Sequence, residues 1–458
     1  MRINIINKAT VAVAVFTCVA AFSSCDKYLD IQPVGKVIPT TVDDYRALLS
    51  EAYQMPQIDR AVVDFRSDIV VVRDNDTDMN DYHNIQTWND NNTLAGTREF
   101  GWEVYYSPIY TANAIIEAQG KIKGNTTDIN QLVGEAYLLR AYNHFTLVNL
   151  YGQPYTKSGA PETKAIPIKT STDLETTPER NTVGEVYTQI LSDIAEARKL
   201  ITQSSWEERY KYRYSTVSVD ALEARVRLYM GDWQSAYDAA ERVLKANDKL
   251  EDFNNAASLL PTSFKSVEAI TSAEQFYTGT NASATRAPKE FIAEYDTIND
   301  LRYKKFYQPV KDKPYFSTLK ANTSSEYRCS FHTAEFYLIA AEAAAHLNKD
   351  AEARTRLLAL LKNRLNSTLY ATKQSAINAM SGAALLAEVM QQRKLELAFE
   401  GQRWFDLRRT NRPAITKTIK ATTYNLLQDD PRYTLAIPVS AVSANPVSYT
   451  HLRAHETG

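Results

Sequence analysis

The stretches ALEARVRLYMGDWQSAYDAAERVL at residues 221–244 and YLIAAEAAAHLNKDAEARTRLLALL at 337–361 decide the fold, because the second repeats the first 117 positions on. Sliding one over the other sets Ala224 on Ala341, Gly231 on Asn348, Ala236 on Ala353 and Val243 on Leu360. Apolar residues recur at helical spacing on both sides of Gly231 and Asn348, so each stretch predicts two helices joined by a tight turn. Small residues let the paired helices approach closely, and Gly or Asn accepts the left-handed backbone that ends the first of each pair.

Such a pair resembles the tetratricopeptide unit. An offset of 117 is no multiple of that unit's period of about 34 residues, so the array is expected to be interrupted by insertions. Working outward, Thr41 caps a helix carrying Tyr45, Leu48, Leu49 and Ala52. The same spacing links Trp102, Tyr105, Tyr106, Ile109, Asn113 and Ile116, and then Leu132, Ala136, Leu139, Tyr142 and Phe145. Further helices are predicted over 182–201, 218–247, 333–365 and 383–409, separated by loops at 152–180, 278–288 and 308–325 that are rich in Thr, Ser, Asn, Gly and Pro. The expected fold class is mostly α: a tetratricopeptide-like helix-pair scaffold with long loop-rich insertions forming the ligand face. Specificity would sit in those loops.

Composition narrows the function. With 52 Lys and Arg against 54 Asp and Glu among 458 residues, the net charge is −2, and no basic tract supplies the footprint of a nucleic-acid binder. Tyr, at 28, outnumbers Phe (15) and Trp (5) together, which suits packed helices or surfaces that stack flat apolar faces while keeping a hydroxyl wet.

Residues 1–24 read as a signal peptide: Arg2 and Lys8, an apolar run from Ala9 to Phe22, then Ser23-Ser24 before Cys25. The Ser-Ser-Cys ending resembles a bacterial lipobox, in which Cys25 is acylated, and 25–40 reads as a lipidated tether. Cys18 then leaves with the signal and Cys329 remains the one thiol, so no internal disulfide is expected. At the other end, SYTHLRAHETG has no periodicity and reads as translated adapter sequence, so His451 and His455 are given no metal role.

Several constellations could carry chemistry. Asp74-Asn75-Asp76-Thr77-Asp78 has the alternating oxygens of a calcium loop, but Met79 stands where Gly is needed and Ile85 where Glu is needed, so no metal site is assigned. Downstream, Tyr82, His83, Trp88, Asn89 and Asn91 combine aromatic and amide groups. An exposed Trp beside amides is the usual chemistry for sugar, the alternative being a Trp that packs its own loop. In QQRKLELAFEGQRWFDLRR, Arg393, Glu396, Glu400 and Arg403 fall three and four apart on one expected helix, where Arg-paired carboxylates in an apolar setting read as ionised and structural. No nucleophile elbow, zinc-protease motif, Walker loop or dinucleotide fingerprint is present, and no cofactor is expected. His83, His144, His332 and His346 share no metal-ligand spacing. A binding protein is favoured over an enzyme, with a paired-carboxylate hydrolase left as an alternative because it carries no short signature.

Taken together, these segments resemble the SusD/RagB family of glycan-binding outer-membrane lipoproteins of Bacteroidetes. The matching pieces are Cys25-Asp26 with Tyr28-Leu29-Asp30, WEVYYSPIYTANAIIE at 102–117, GEAYLLRAYNHFTLVNLYGQPY at 134–155 and IPI at 166–168. RNTVGEVYTQILSDIAEA at 180–197, NDLRYKKFY at 299–307, FYLIAAEA at 336–343, RKLELAFEGQRWFDLRR at 393–409 and AIPVSAVSANP at 436–446 complete the set. The resemblance implies one SusD-like domain over 41–446, with an N-terminal part of about 41–255 and a C-terminal part of about 256–446, followed by an atypical tail at 447–458. It implies four helix pairs, a noncatalytic role, and a SusC-type TonB-dependent transporter as partner at the cell surface. It further places the glycan site on Trp88 and Asn91, an aromatic followed three positions later by Asn, with Arg73 and Asp74 as polar partners. Tyr82 lies beside them, and Tyr277 and Tyr315 are the candidates in the later loops. The alternative function is a tetratricopeptide-like scaffold or lid subunit of a transporter carrying peptide or other non-glycan cargo.

Overall fold

Gly231 and Asn348 both take the left-handed backbone that the repeat requires, at φ 73° and 59°. In the computed structural model, which describes residues 38–445 apart from 55–58, 91–97, 177 and 322–323, each ends the first helix of a pair. The signal segment, Cys25, all of the tether but 38–40, Asn91 and the tail lie outside the described residues. The described residues from Thr41 on form one unit.

Local chemistry starts the helices where the sequence marks them. α1, Val42–Gln54, opens on Thr41, whose hydroxyl accepts the Asp44 N–H at 3.2 Å while the Asp44 carboxylate accepts the Thr41 N–H at 2.9 Å. α2 spans Glu103–Ala118 and α3 spans Thr126–Tyr151. α4, Val183–Leu200, is capped by the Thr182–Glu185 box. The repeat supplies α5, Thr216–Met230, with α6, Trp233–Ala246, and then α7, Thr333–His346, with α8, Asp350–Lys362. α9, Ser367–Asn378, and α10, Gly382–Glu396, follow, then α11, Arg403–Arg409.

From α2 to α9 each helix packs on its successor, including α6 on α7 although residues 247–332 lie between them. The scaffold is therefore continuous in space and interrupted in sequence, which is the tetratricopeptide-like architecture with insertions. Its core runs through Leu139, Leu222, Ala236, Leu338 and Leu357. The inserted segments build a second core of their own from Phe65, Tyr82, Phe276, Tyr277, Phe291 and Phe306, closed by Phe399. Over this core lies a four-stranded sheet, in the order β1 Val71–Val72, β3 Thr285–Pro288, β5 Tyr315–Thr318 and β4 Tyr307–Pro309. β2, Ala269–Thr271, pairs with β6, Phe331–His332, and β7, Ile415–Ile419, forms a hairpin with β8, Thr422–Leu426.

The helix expected over 383–409 is broken. α10 stops at Glu396, and Phe399 and Gly401 turn left-handed at φ 62° and 65°. A Cβ on Gly401 would stand 2.7 Å from the Arg60 carbonyl oxygen, so only glycine fits against that strand of backbone. The Asp64 carboxylate then accepts the Gly401 and Trp404 N–H groups at 3.1 and 3.2 Å, which caps α11 from a distant part of the chain. Burial pushes the Asp64 carboxyl up to about 7 against the pull of those two donors.

With the helix broken, Arg393, Glu396, Glu400 and Arg403 do not share one face. Glu396 meets Arg364 at 2.9 Å and Arg302 at 3.6 Å, and Glu400 meets Lys320 at 2.5 Å and His332 at 2.7 Å. Arg393 pairs with Asp406 and Arg403 with Asp68. The carboxylates are paired with cations as expected, but those cations come from the inserted loops and the end of α8.

Burial disfavours charge on Glu400, yet Lys320 and His332 hold it down to about 2 from an ordinary 4.5. Burial likewise lowers His332, and the Glu400 and Glu268 carboxylates overcome it and raise the imidazole to about 10 from 6.5. Glu400 therefore contributes stability above pH 4.5 that is lost as pH falls toward 2, whereas His332 contributes below pH 6.5 and loses it as pH rises toward 10. Thermal unfolding followed against pH is expected to show the largest difference between wild type and His332→Asn/Glu400→Gln between those two values, narrowing on both sides. A difference independent of pH would contradict the ionised pairing.

Candidate ligand-binding face

Where β1 leaves the sheet, the backbone N–H of Arg73 donates to the Ala284 carbonyl at 2.7 Å, so Arg73 and Asp74 are held at the rim of the loop-rich layer. Antiparallel pairing of Val71 with Arg286 and of Pro288 with Tyr315 brings two more chemically active residues to the same end of the sheet. Lys313, just ahead of β5, reaches Asp74 at 3.2 Å.

The segment 74–78 that has calcium-loop spacing is instead the start of a short helix, Asp76–Asp81, capped by Asn75, whose side chain accepts the Asp78 N–H at 2.9 Å. Asp78 is buried and turned inward, where its Oδ2 accepts from Arg73 Nε at 2.6 Å and Asn75 Nδ2 at 2.7 Å. That contact fixes the Arg73 guanidinium through Nε alone. Its side chain is 39% exposed, and its two terminal nitrogens make no hydrogen bond among the described residues. The Asp74 carboxylate beside it is 66% exposed, with one oxygen held by Lys313. Arg286 stands close enough to Arg73 for burial and the neighbouring cation together to lower its guanidinium, and its Cζ lies 5.9 Å from the Tyr315 ring. The hairpin adds Lys420, 3.4 Å from the exposed Asp76.

A rim of this kind presents a rigid donor fork next to a fixed acceptor. Such a fork can hydrogen-bond both oxygens of a vicinal diol, and the carboxylate can accept from a third hydroxyl. Hydrogen bonding of neutral oxygens is within its reach.

The structure thus brings together Arg73, Asp74 and Tyr315 and corrects the remaining aromatic expectations. Trp88 is 1% exposed, its Nε1 donating to the Arg66 carbonyl at 2.9 Å, so it packs its own loop and offers no face to a sugar. Tyr82 is buried and stacked on Phe65 at 4.5 Å, and Tyr277 is buried in the same core. Tyr315 is at the rim but its ring is buried under the Arg286 side, so it supports the site and is no open platform. Burying these rings stabilises the packing around them, Tyr82 and Tyr277 in the core of the inserted layer and Trp88 in that of the helical scaffold. Arg286 and Lys313 escape sequence reading because they join the site through strand pairing more than two hundred positions from Arg73 and Asp74. No helix among the described residues is long and apolar enough to cross a membrane.

Comparison with known proteins follows the same outline. A family profile described as "Starch-binding associating with outer membrane" matches residues 27–228, and one described as "SusD family" matches residues 196–446. SusD-like protein P38 of Formosa agariphila is 24% identical over 469 residues, covering 85% of this chain and 89% of that protein. Among solved structures, a SusD superfamily protein from Bacteroides thetaiotaomicron superposes with a TM-score of 0.74 at 22% identity, over 89% of this chain and 98% of its own. A laminarin-binding SusD-like protein superposes with a TM-score of 0.60 at 19% identity, over 81% and 92% respectively.

Proposed function

The chain belongs to the SusD family, and from that membership we propose that it is a noncatalytic glycan-capture protein that hands its ligand to a SusC-type TonB-dependent transporter. Cys25 is the lipid anchor that holds it at the outer membrane, facing the exterior, and the family description that mentions association with that membrane supports this part. The laminarin-binding relative supports a glycan as ligand.

The observation that carries the reading is the Arg73 guanidinium, anchored through Nε with neither terminal nitrogen hydrogen-bonded among the described residues, next to the exposed Asp74 carboxylate. A hydrogen bond to a charged group contributes about 1.5–3 kcal/mol, so losing even one of the fork's two bonds weakens binding by at least roughly 10- to 100-fold. Native gels containing a panel of neutral polysaccharides test this. The chain lacking residues 1–25 is expected to be retarded by at least one polymer, and Arg73→Ala/Asp74→Ala to migrate as it does in a blank gel. Retardation unchanged in the double variant would remove the site, and no retardation by any polymer would favour the lid role with peptide cargo.

A further inference from the structure

A cleft of about 280 Å³ opens between the end of α1, the segment before α5 and the loops around 264–273 and 325–328. Its walls are tied together: the Ser272 N–H donates to the Lys211 carbonyl at 2.9 Å, and Lys211 Nζ donates to the Phe264 carbonyl at 3.0 Å. Tyr53 meets Tyr212 edge to face at 5.6 Å, and the half-buried Tyr212 and Phe264 give the cleft ring surface.

Two features set this cleft apart from an ordinary surface groove. Ser272 is 3% exposed, lines the cleft, and its hydroxyl has no hydrogen-bond partner among the described residues. A buried hydroxyl left unpaired costs roughly 1–3 kcal/mol, a cost that a ligand hydroxyl reaching Ser272 would offset. The second feature is charge. Arg209, Lys211 and Arg328 line the cleft against the single carboxylate of Glu208. Arg209 is spent on Glu207 at 3.3 Å and Lys211 on backbone carbonyls, whereas the Arg328 guanidinium has no partner among the described residues.

The geometry points to a second binding site in this cleft, for an anionic sugar unit whose carboxylate or sulfate ester pairs with Arg328 while a ring hydroxyl meets Ser272. The saccharide part rests on the glycan-capture reading. The anionic part rests on the cleft alone, which shares no residue with the Arg73–Asp74 rim. Uronic acids and sulfated sugars offer the same charge, and the test separates them.

Calorimetric titration of the chain lacking residues 1–25 with trigalacturonate, a sulfated carrageenan oligosaccharide, maltotriose and inorganic sulfate tests the assignment. One of the two acidic oligosaccharides is expected to bind at least about tenfold more tightly than maltotriose, with affinity falling as salt rises. Arg328→Met is expected to weaken that ligand about tenfold or more and to leave the retention of neutral polymers unchanged. Ser272→Ala is expected to weaken it while leaving thermal stability unchanged or raised, because the hydroxyl it removes is unpaired in the free protein. Arg73→Ala is expected to leave acidic binding unchanged. Equal affinity in wild type and Arg328→Met, or no binding of either acidic oligosaccharide, would overturn the site. Inorganic sulfate binding as tightly as both oligosaccharides would overturn its saccharide part. A retained neutral polymer with no acidic binding would sink this site and spare the Arg73–Asp74 rim, and acidic binding with no neutral polymer retained would keep this site and remove the rim.

Discussion

Arg364→Met is expected to lower stability by about 3–5 kcal/mol, because it strips the shared cation from two buried carboxylates. Arg364 is fully buried at the end of α8, with Nη2 2.6 Å from Glu268, Nε 2.9 Å from Glu396 and Nη1 2.6 Å from the Glu251 carbonyl. Glu268 belongs to the inserted loops and Glu396 ends α10, so this one side chain joins the scaffold to the layer that carries the ligand face. Without it the cations left among the described residues are Arg302 at 3.6 Å for Glu396 and the His332 ring at 3.4 Å for Glu268, longer contacts that offset less of the cost of burying the two charges. Chemical denaturation of wild type and variant reads the loss. Adding Glu396→Gln to Arg364→Met is expected to return part of it, since one of the stranded charges is then gone. A loss below about 1 kcal/mol, typical of an exposed pair, would contradict the described burial.

Trp88→Ala is expected to cost about 3–5 kcal/mol of stability, as for removal of any fully buried Trp, while the folded fraction keeps its ligand affinity. The ring fills space beneath Lys417, whose Nζ lies 5.5 Å from its centroid, and its N–H satisfies the Arg66 carbonyl. Burial lowers the Lys417 ammonium to about 7, with Asp68 opposing the shift, so opening this region by truncation also rehydrates a cation. An exposed sugar platform would behave in the opposite way, with stability within about 0.5 kcal/mol of wild type and affinity reduced. Unfolding curves and polysaccharide retention on the same variant separate the two.

The fate of Trp88 marks the boundary of what the sequence can reveal. Helix pairs were legible because their signals are local: Gly231 and Asn348 follow helical runs, Thr41 and Thr182 precede them, and small residues recur at the packed faces. The break after Glu396 was not, since RKLELAFEGQRWFDLRR keeps helical spacing throughout. What ends the helix is the Arg60 carbonyl against Gly401 and the Asp64 carboxylate beneath Trp404, both contributed by a segment more than three hundred positions earlier. The ligand face divides in the same manner. Arg73 and Asp74 stand out in sequence as charges at the edge of a polar run, yet nothing local distinguishes a Trp that stacks on sugar from one that plugs a loop. Arg286 and Lys313 reach the rim through the pairing of short strands, and Arg328 with Ser272 through loop packing. Short strands and loops leave no periodicity to read.

The central claim, that Arg73 and Asp74 hold a glycan, is tested most directly by a crystal structure of the protein with an oligosaccharide cut from whichever neutral polymer it retains. The expected result is a pair of vicinal hydroxyls within about 2.7–3.2 Å of the two terminal nitrogens of Arg73, with a further hydroxyl on Asp74. Sugar density elsewhere, with the Arg73 fork facing only water, would contradict it.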